Sequence, residues 1–272
     1  QSEKIQIPPT RRGHVMRYRR SVLIAVLASV LLAPSLFAQT KTVGPGTPQQ
    51  IGKGLDTMVK VPAGWFIMGS EKYKDEKPRR RVYLDKFFID KYPVTNVRFR
   101  RFGKPTTDYG SKFNGAYQPV VGVTWTQARD YCKSVEKRLP TEAEWEKSAR
   151  GVDGRKYPWG SQWDGSKVIW DKNSGGKTHP VDRTYNTHRS PYGAVDMAGN
   201  TWEWVADWYG KNYYANAPDR NPKGPASGSG RVLRGGSWYF DYSSYFPAAD
   251  RNYGRPGSRN SRISFRCAKA SN

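Results

Sequence analysis

A chain of 272 residues is long enough to bury a sizeable core in one large domain, and its 27 glycines and 19 prolines against 36% hydrophobic residues exclude a fold of long regular elements. Short strands, modest helix and many turns are expected, with 14% aromatics, ten of them Trp, available to fill the core. The formal charge of +23 favours anionic partners such as acidic proteins or lipid headgroups, although a solvated basic face accounts equally well for charge alone.

Arg17, Arg19 and Arg20 precede an uncharged stretch from Ser21 to Ala38 with the apolar run SVLIAVLASVLLA and a small-residue exit. This is the pattern of a secretory signal, with Met16 as the natural start. The same stretch is long enough for a short span, so residues 1–38 read as a leader that is either a signal peptide or an uncleaved membrane anchor at 21–38. Both forms export the remainder to a periplasmic or extracellular location, which ranks nucleic acid last among partners. Residues 39–55, rich in Gly, Pro, Thr and Gln, read as a linker, and 56–269 as the domain.

Within the domain, TMVKVPAGWFIMGS at 57–70 reads as a hairpin broken at Pro62–Gly64, and RVYLDKFFID at 81–90 as one strand. Val94 to Phe102 reads as a short amphipathic helix whose outer face carries Arg98, Arg100 and Arg101. Thr124 with Gln127, and Thr141 with Glu144 directly after Pro140, are capping boxes that predict helices over 124–136 and 141–149. Beyond Gly151 only short pieces are expected, ending in a strand near Ile263–Ala268. No Ser-His-Asp pattern, phosphate loop or zinc spacing stands out, and His179 and His188 read as surface or turn histidines.

The ordered segments FIMGS at 66–70, LDKFFIDKYPVTN at 84–96, PVVGVTW at 119–125, KRLPTEAEWEKSARG at 137–151, YPWG at 157–160, YGAVDMAGNTWEW at 192–204, RGGSW at 234–238 and FRC at 265–267 resemble the formylglycine-generating enzyme, or sulfatase-modifying factor, family. The resemblance implies an α+β fold, the family's variant of the C-type-lectin-like fold with little regular secondary structure. Active relatives oxidise a client cysteine to formylglycine with copper held by two cysteines shortly after RGGSW. Aligned on that block, Phe240 and Tyr245 stand at those positions, and neither replaces a thiolate. No copper is therefore expected, while Ser237 and Trp202 are retained.

The resemblance also pairs Cys132 with Cys267 in a structural disulfide, consistent with an even cysteine count in an exported chain. It assigns a structural calcium to Asp196, Gly199, Thr201 and Glu203; the plainer alternative is that the two carboxylates satisfy local amides. A candidate cleft comprises Trp202, Ser237, Trp238, Phe240, Tyr242, Tyr245 and Arg251, in a segment dense in Tyr, Asn, Ser and Arg. That segment resembles the ligand face of variable proteins made by diversity-generating retroelements. Arg251, Arg255, Arg259, Arg262 and Arg266 form either a basic patch beside it or internal pairs with acids such as Asp241 and Asp250. The leading expectation is a non-catalytic exported module docking on a membrane-associated protein complex. The alternatives are a periplasmic oxidoreductase or maturation enzyme with another cofactor, and a ligand-display protein.

Overall fold

The computed structural model describes residues 49–105, 107–181 and 189–271. The leader at 1–38, most of the linker, His14 and His188 lie outside the described residues. Strand β1 (Gln50–Ile51), inside the stretch read as linker, pairs antiparallel with β2 (Met58–Val61).

β3 (Gly64–Met68) follows β2 after two residues, yet the two do not form the expected hairpin. β3 pairs with β4 (Arg80–Leu84), whereas β2 pairs with β5 (Phe87–Asp90), both antiparallel. Pro62 has no N–H to close a tight hairpin. The Lys147 ammonium instead fixes the crossing by donating to the carbonyls of Pro62 and Gly64 at 2.7 and 2.9 Å. The strand expected over 81–90 is likewise split. Asp85 leaves the ladder, its N–H donating to Asn221 Oδ1 at 2.9 Å while the Asn221 amide donates back to its carboxylate at 2.8 Å.

Helix α1 (Asn96–Phe99) occupies part of the expected 94–102 segment, and its outer face is less basic than the sequence suggests. Arg98 is buried and pairs with Asp56 at 3.0 Å and Asp90 at 3.5 Å, leaving Arg100 and Arg101 exposed. Both longer helices form as expected: α2 (Trp125–Ser134) and α3 (Glu142–Arg150), each with a complete capping box. Thr141 Oγ1 accepts from the Glu144 N–H at 3.2 Å and Glu144 Oε2 accepts from the Thr141 N–H at 2.8 Å.

The second half runs through α4 (Asp171–Ser174), β6 (Trp202–Trp208), α5 (Tyr213–Asn216), β7 (Arg231–Arg234), β8 (Arg251–Gly254), β9 (Ile263–Phe265) and β10 (Ala268–Ala270). The single terminal strand expected at 263–268 is two strands serving different sheets. β9 lies parallel to β6 in the sheet β8-β7-β6-β9, and β10 lies antiparallel to β5 in the sheet β1-β2-β5-β10. Cys267 falls at this crossover and is bonded to Cys132 of α2, 135 residues away in the chain.

Every residue of α3 is buried, and the helix packs against β3, β4, β6 and β7. Its apolar residues Ala143, Trp145 and Ala149 join Val59, Val61, Phe66, Phe87, Ile89 and Val205 in one core cluster. A second cluster gathers Phe99, Tyr131, Trp202, Trp204, Leu233, Phe240, Phe246 and Phe265. The charged residues of α3 turn inward as well. Glu142 meets Arg251, and Glu146 meets Arg150 and Arg234, so the helix carries a buried ionic network along its length.

Candidate functional site

The segment after β7 descends into the second core and returns to the surface. Phe240 is buried, its ring 4.2 Å from that of Tyr245 and edge-on to Trp202 at 6.0 Å. The Phe240 carbonyl accepts from the Asp171 N–H at 3.1 Å, and the Trp238 N–H donates to the Asn200 carbonyl at 3.0 Å, so the cleft backbone is fastened to α4 and to the turn before β6. Ser237 Oγ and Trp202 Nε1 are buried and have no hydrogen-bond partner among the described residues. Above them Tyr239 and Tyr242 are 53% and 64% exposed, which makes them the projecting groups of this face.

The structure thus brings together Trp202, Ser237, Trp238, Phe240 and Tyr245, with Tyr242 on the rim. It removes Arg251 from the cleft. That guanidinium is buried elsewhere, held by both oxygens of Glu142 at 2.7 and 2.8 Å and packed over the rings of Tyr214 and Tyr209. The five C-terminal arginines form no single patch. Arg251 and Arg266 are buried against Glu142 and Glu203, not against Asp241 or Asp250, while Arg262 stacks on the Tyr239 ring at 4.4 Å and Arg259 donates to Thr107 Oγ1 at 3.1 Å.

Two aromatic neighbours were not legible in advance. Phe113 lies 5.6 Å from Trp238 and Tyr109 lies 6.4 Å from Phe113, extending the face into the 109–113 loop. Their only local signal is aromatic spacing in a Gly-rich loop, which does not say which surface the loop will cover. His179 is a turn histidine: its ring nitrogen is 2.9 Å from the Ser174 carbonyl, and its backbone is bonded on both sides by the Asn200 side chain.

A family profile described as the sulfatase-modifying factor enzyme 1-like domain matches residues 45–271. The chain belongs to this family. It is 34% identical over 294 residues to a formylglycine-generating enzyme of Thermomonospora curvata, covering 82% of this chain and 95% of that one. It is also 38% identical over 239 residues to the serine/threonine-protein kinase pkn1 of Chlamydia caviae, covering 78% of this chain but spanning only 38% of that relative's length. Among solved structures, Treponema denticola variable protein 1 superimposes with a TM-score of 0.72 at 27% identity, over 83% of this chain and all of that one. PvdO from Pseudomonas aeruginosa shares the fold with a TM-score of 0.71 at 24% identity, over 83% of this chain and 99% of that one.

Sulfatase-modifying-factor relatives that use copper need two free thiolates, and this chain does not fit that ion. Its sequence has two cysteines, both consumed by the Cys132–Cys267 disulfide. Of the calcium set expected from the family, the Glu203 carboxylate is engaged by protein donors. Its Oε2 accepts from Arg266 Nε at 2.7 Å and from the Trp145 indole N–H at 2.8 Å, and its Oε1 accepts from Arg266 Nη2 at 2.7 Å. A carboxylate neutralised in this way is not a free ligand.

Asp196 differs from Glu203. It sits at a positive φ of 57° and accepts from the Asn200 amide at 2.9 Å. Burial pushes its carboxyl up to about 6, with nearby Glu203 adding to the rise while the Asn200 hydrogen bond and Arg266 pull it back. Among the described residues no group of three or more His, Cys, Asp and Glu side chains gathers around a common point.

Proposed function

We propose that this chain is an exported, non-catalytic binding or structural module that docks through its aromatic face onto a protein partner of a membrane-associated complex. The observation that carries this reading is the buried Phe240 ring, packed at 4.2 Å against Tyr245 and edge-on to the exposed Tyr239 at 5.8 Å, with Tyr242 exposed beside it, in the segment where the family resemblance puts the active relatives' thiolates. Tyr side chains supply large contact area at low entropy cost on a fixed frame. The disulfide favours an oxidising, exported compartment. No helix among the described residues is long and apolar enough to cross a membrane, so membrane contact in this reading comes from the leader or from the partner.

The test is mild detergent extraction of native membranes, followed by a native gel and mass spectrometry of the band containing this chain. The expected result is a larger assembly that survives a salt wash and is lost in the Tyr239→Ser/Tyr242→Ser variant. Migration of the unaltered chain as a lone soluble monomer overturns the reading.

A second reading rests on the unpartnered Ser237 Oγ and Trp202 Nε1, which suit a small acceptor group in the cleft, whether displayed to a ligand or used in another oxidation. Likeness to the Treponema variable protein favours ligand display, and identity to formylglycine-generating enzymes favours chemistry with a different cofactor. Stoichiometric copper or iron in protein purified without added metal, with turnover of a thiol or phenol, would select the latter.

Calcium belongs to the same proposal at one carboxylate, Asp196, with the carbonyls of Gly199 and Thr201. With so little ligand charge, the affinity expected is about 10⁻⁴–10⁻³ M. Without the ion, a carboxyl raised to about 6 contributes stability that is full below its unfolded value and is lost as pH rises through 6. Chelator-treated protein should therefore lose stability between about pH 4 and 7, a slope that Asp196→Asn flattens. Calcium should raise the melting temperature at pH 7.5 and much less at pH 5. A melting temperature indifferent to calcium at both pH values removes the ion from the account.

A further inference from the structure

We propose that a cavity of about 320 Å³, enclosed by the β3–β4 connection, the turn after α3 and the 247–249 segment, is a binding site for a compact organic anion. It lies apart from the aromatic face in its lining residues and is not used by the docking reading.

The walls are preformed because one buried side chain ties them together. Arg150, the last residue of α3, donates to the Gly69 carbonyl at 3.0 Å, the Gly154 carbonyl at 2.5 Å and the Arg155 carbonyl at 2.8 Å. Its charge is met by Glu146 at 2.9 Å, and the same carboxylate oxygen accepts from the Gly69 N–H at 2.8 Å. The remaining wall is pinned by the Ala248 N–H donating to the Lys156 carbonyl at 2.8 Å. A cavity held open in this way costs little ordering when a ligand enters.

Charge selects the ligand class. Lys72, Arg79 and Lys156 line the cavity, are exposed, and have no ion-pair partner among the described residues; the two lysines lie only over the rings of Tyr73 and Tyr157. The two acids present are already committed. Glu71 pairs with Lys77 at 3.6 Å and accepts from the Arg79 N–H at 2.8 Å, and buried Glu76 is bonded by the Ser70 hydroxyl. Three uncompensated cations around one opening attract an anion. The glycine, proline and alanine surfaces of Gly69, Gly154, Pro247 and Ala249 leave an apolar space that a bare phosphate would not fill. A phosphate or carboxylate carried on a ring or short aliphatic body satisfies both parts.

The test is calorimetric titration of the disulfide-intact protein at about 0.15 M salt with phenyl phosphate, benzoate, inorganic phosphate and phenol. The expected result is one phenyl phosphate or benzoate per chain at sub-millimolar affinity, with the tighter of the two naming the head group. Inorganic phosphate should bind at least fivefold more weakly and phenol not measurably. Arg79→Glu/Lys156→Glu should weaken the organic anion at least tenfold, while Tyr239→Ser/Tyr242→Ser leaves it unchanged. Both altered cations are exposed, so an unchanged melting curve is expected as the folding control. The proposal is overturned if neither organic anion binds, if phenyl phosphate binds no tighter than inorganic phosphate, or if the double charge reversal leaves its affinity unaltered.

Discussion

Glu203→Ala is expected to cost about 3–5 kcal/mol of unfolding free energy, read from urea denaturation at pH 7. The cost comes from what is left behind. Arg266 is fully buried, and with Glu203 gone its guanidinium keeps only backbone carbonyls of Asp90, Lys91, Val195 and Asp196 as acceptors. The Trp145 indole N–H, at the centre of the other core cluster, also loses its acceptor. Arg266→Met should be costly in its own right because the Val195 carbonyl loses the guanidinium at 2.8 Å and Glu203 is left as an unpaired buried charge. The double variant should nevertheless cost at least about 1.5 kcal/mol less than the two single changes together, since each single change already breaks the same pair. Additive costs, or a Glu203→Ala penalty below about 1 kcal/mol, would show that the Glu203–Arg266 pair does not hold this junction.

Loss of the disulfide ranks beside it. Cys132→Ala/Cys267→Ala is expected to cost about 4–5 kcal/mol on chain-entropy grounds, because the bond closes a loop spanning 135 residues. The position of the bond makes the loss local as well. Ala268 exchanges backbone hydrogen bonds with Arg138 at 2.7 and 2.9 Å, and β10 forms the outer strand against β5. Without the bond, the chain end beyond β9 is held by these backbone contacts, while α2 keeps its packing of Tyr131 against Phe265 at 5.4 Å. Amide exchange at β10 should therefore accelerate more than exchange at β6. Alkylation of both cysteines in native, non-reduced protein would contradict the bond itself.

What the sequence revealed and what it hid divide along the range of the interactions. The capping boxes at Thr124 and Thr141 span three residues each, so the two longer helices could be placed closely. The family blocks located Phe240, Tyr245 and Trp202, whose rings do meet in space, and Ser237, whose carbonyl accepts from the Phe240 N–H at 3.3 Å. Strand partnership was hidden, because β2 and β3 are adjacent in the chain and belong to different sheets. The buried charges were hidden for the same reason. Arg251 finds Glu142 at 109 residues' separation and Arg266 finds Glu203 at 63, so neither pairing leaves a periodic trace. Arg98 misled through its neighbours: in a basic run it looks solvated, yet Asp56 and Asp90 draw it inward.

The central claim, that this sulfatase-modifying-factor domain binds without the family's oxidation, is tested most directly by assaying that oxidation. Disulfide-intact protein supplied with cuprous ion is incubated with a peptide carrying the client cysteine, and aldehyde is scored by hydrazide capture. With both cysteines held in the Cys132–Cys267 disulfide, no aldehyde above the protein-free control is predicted. Sustained aldehyde formation by the unaltered chain would contradict the account and return the cleft to catalysis.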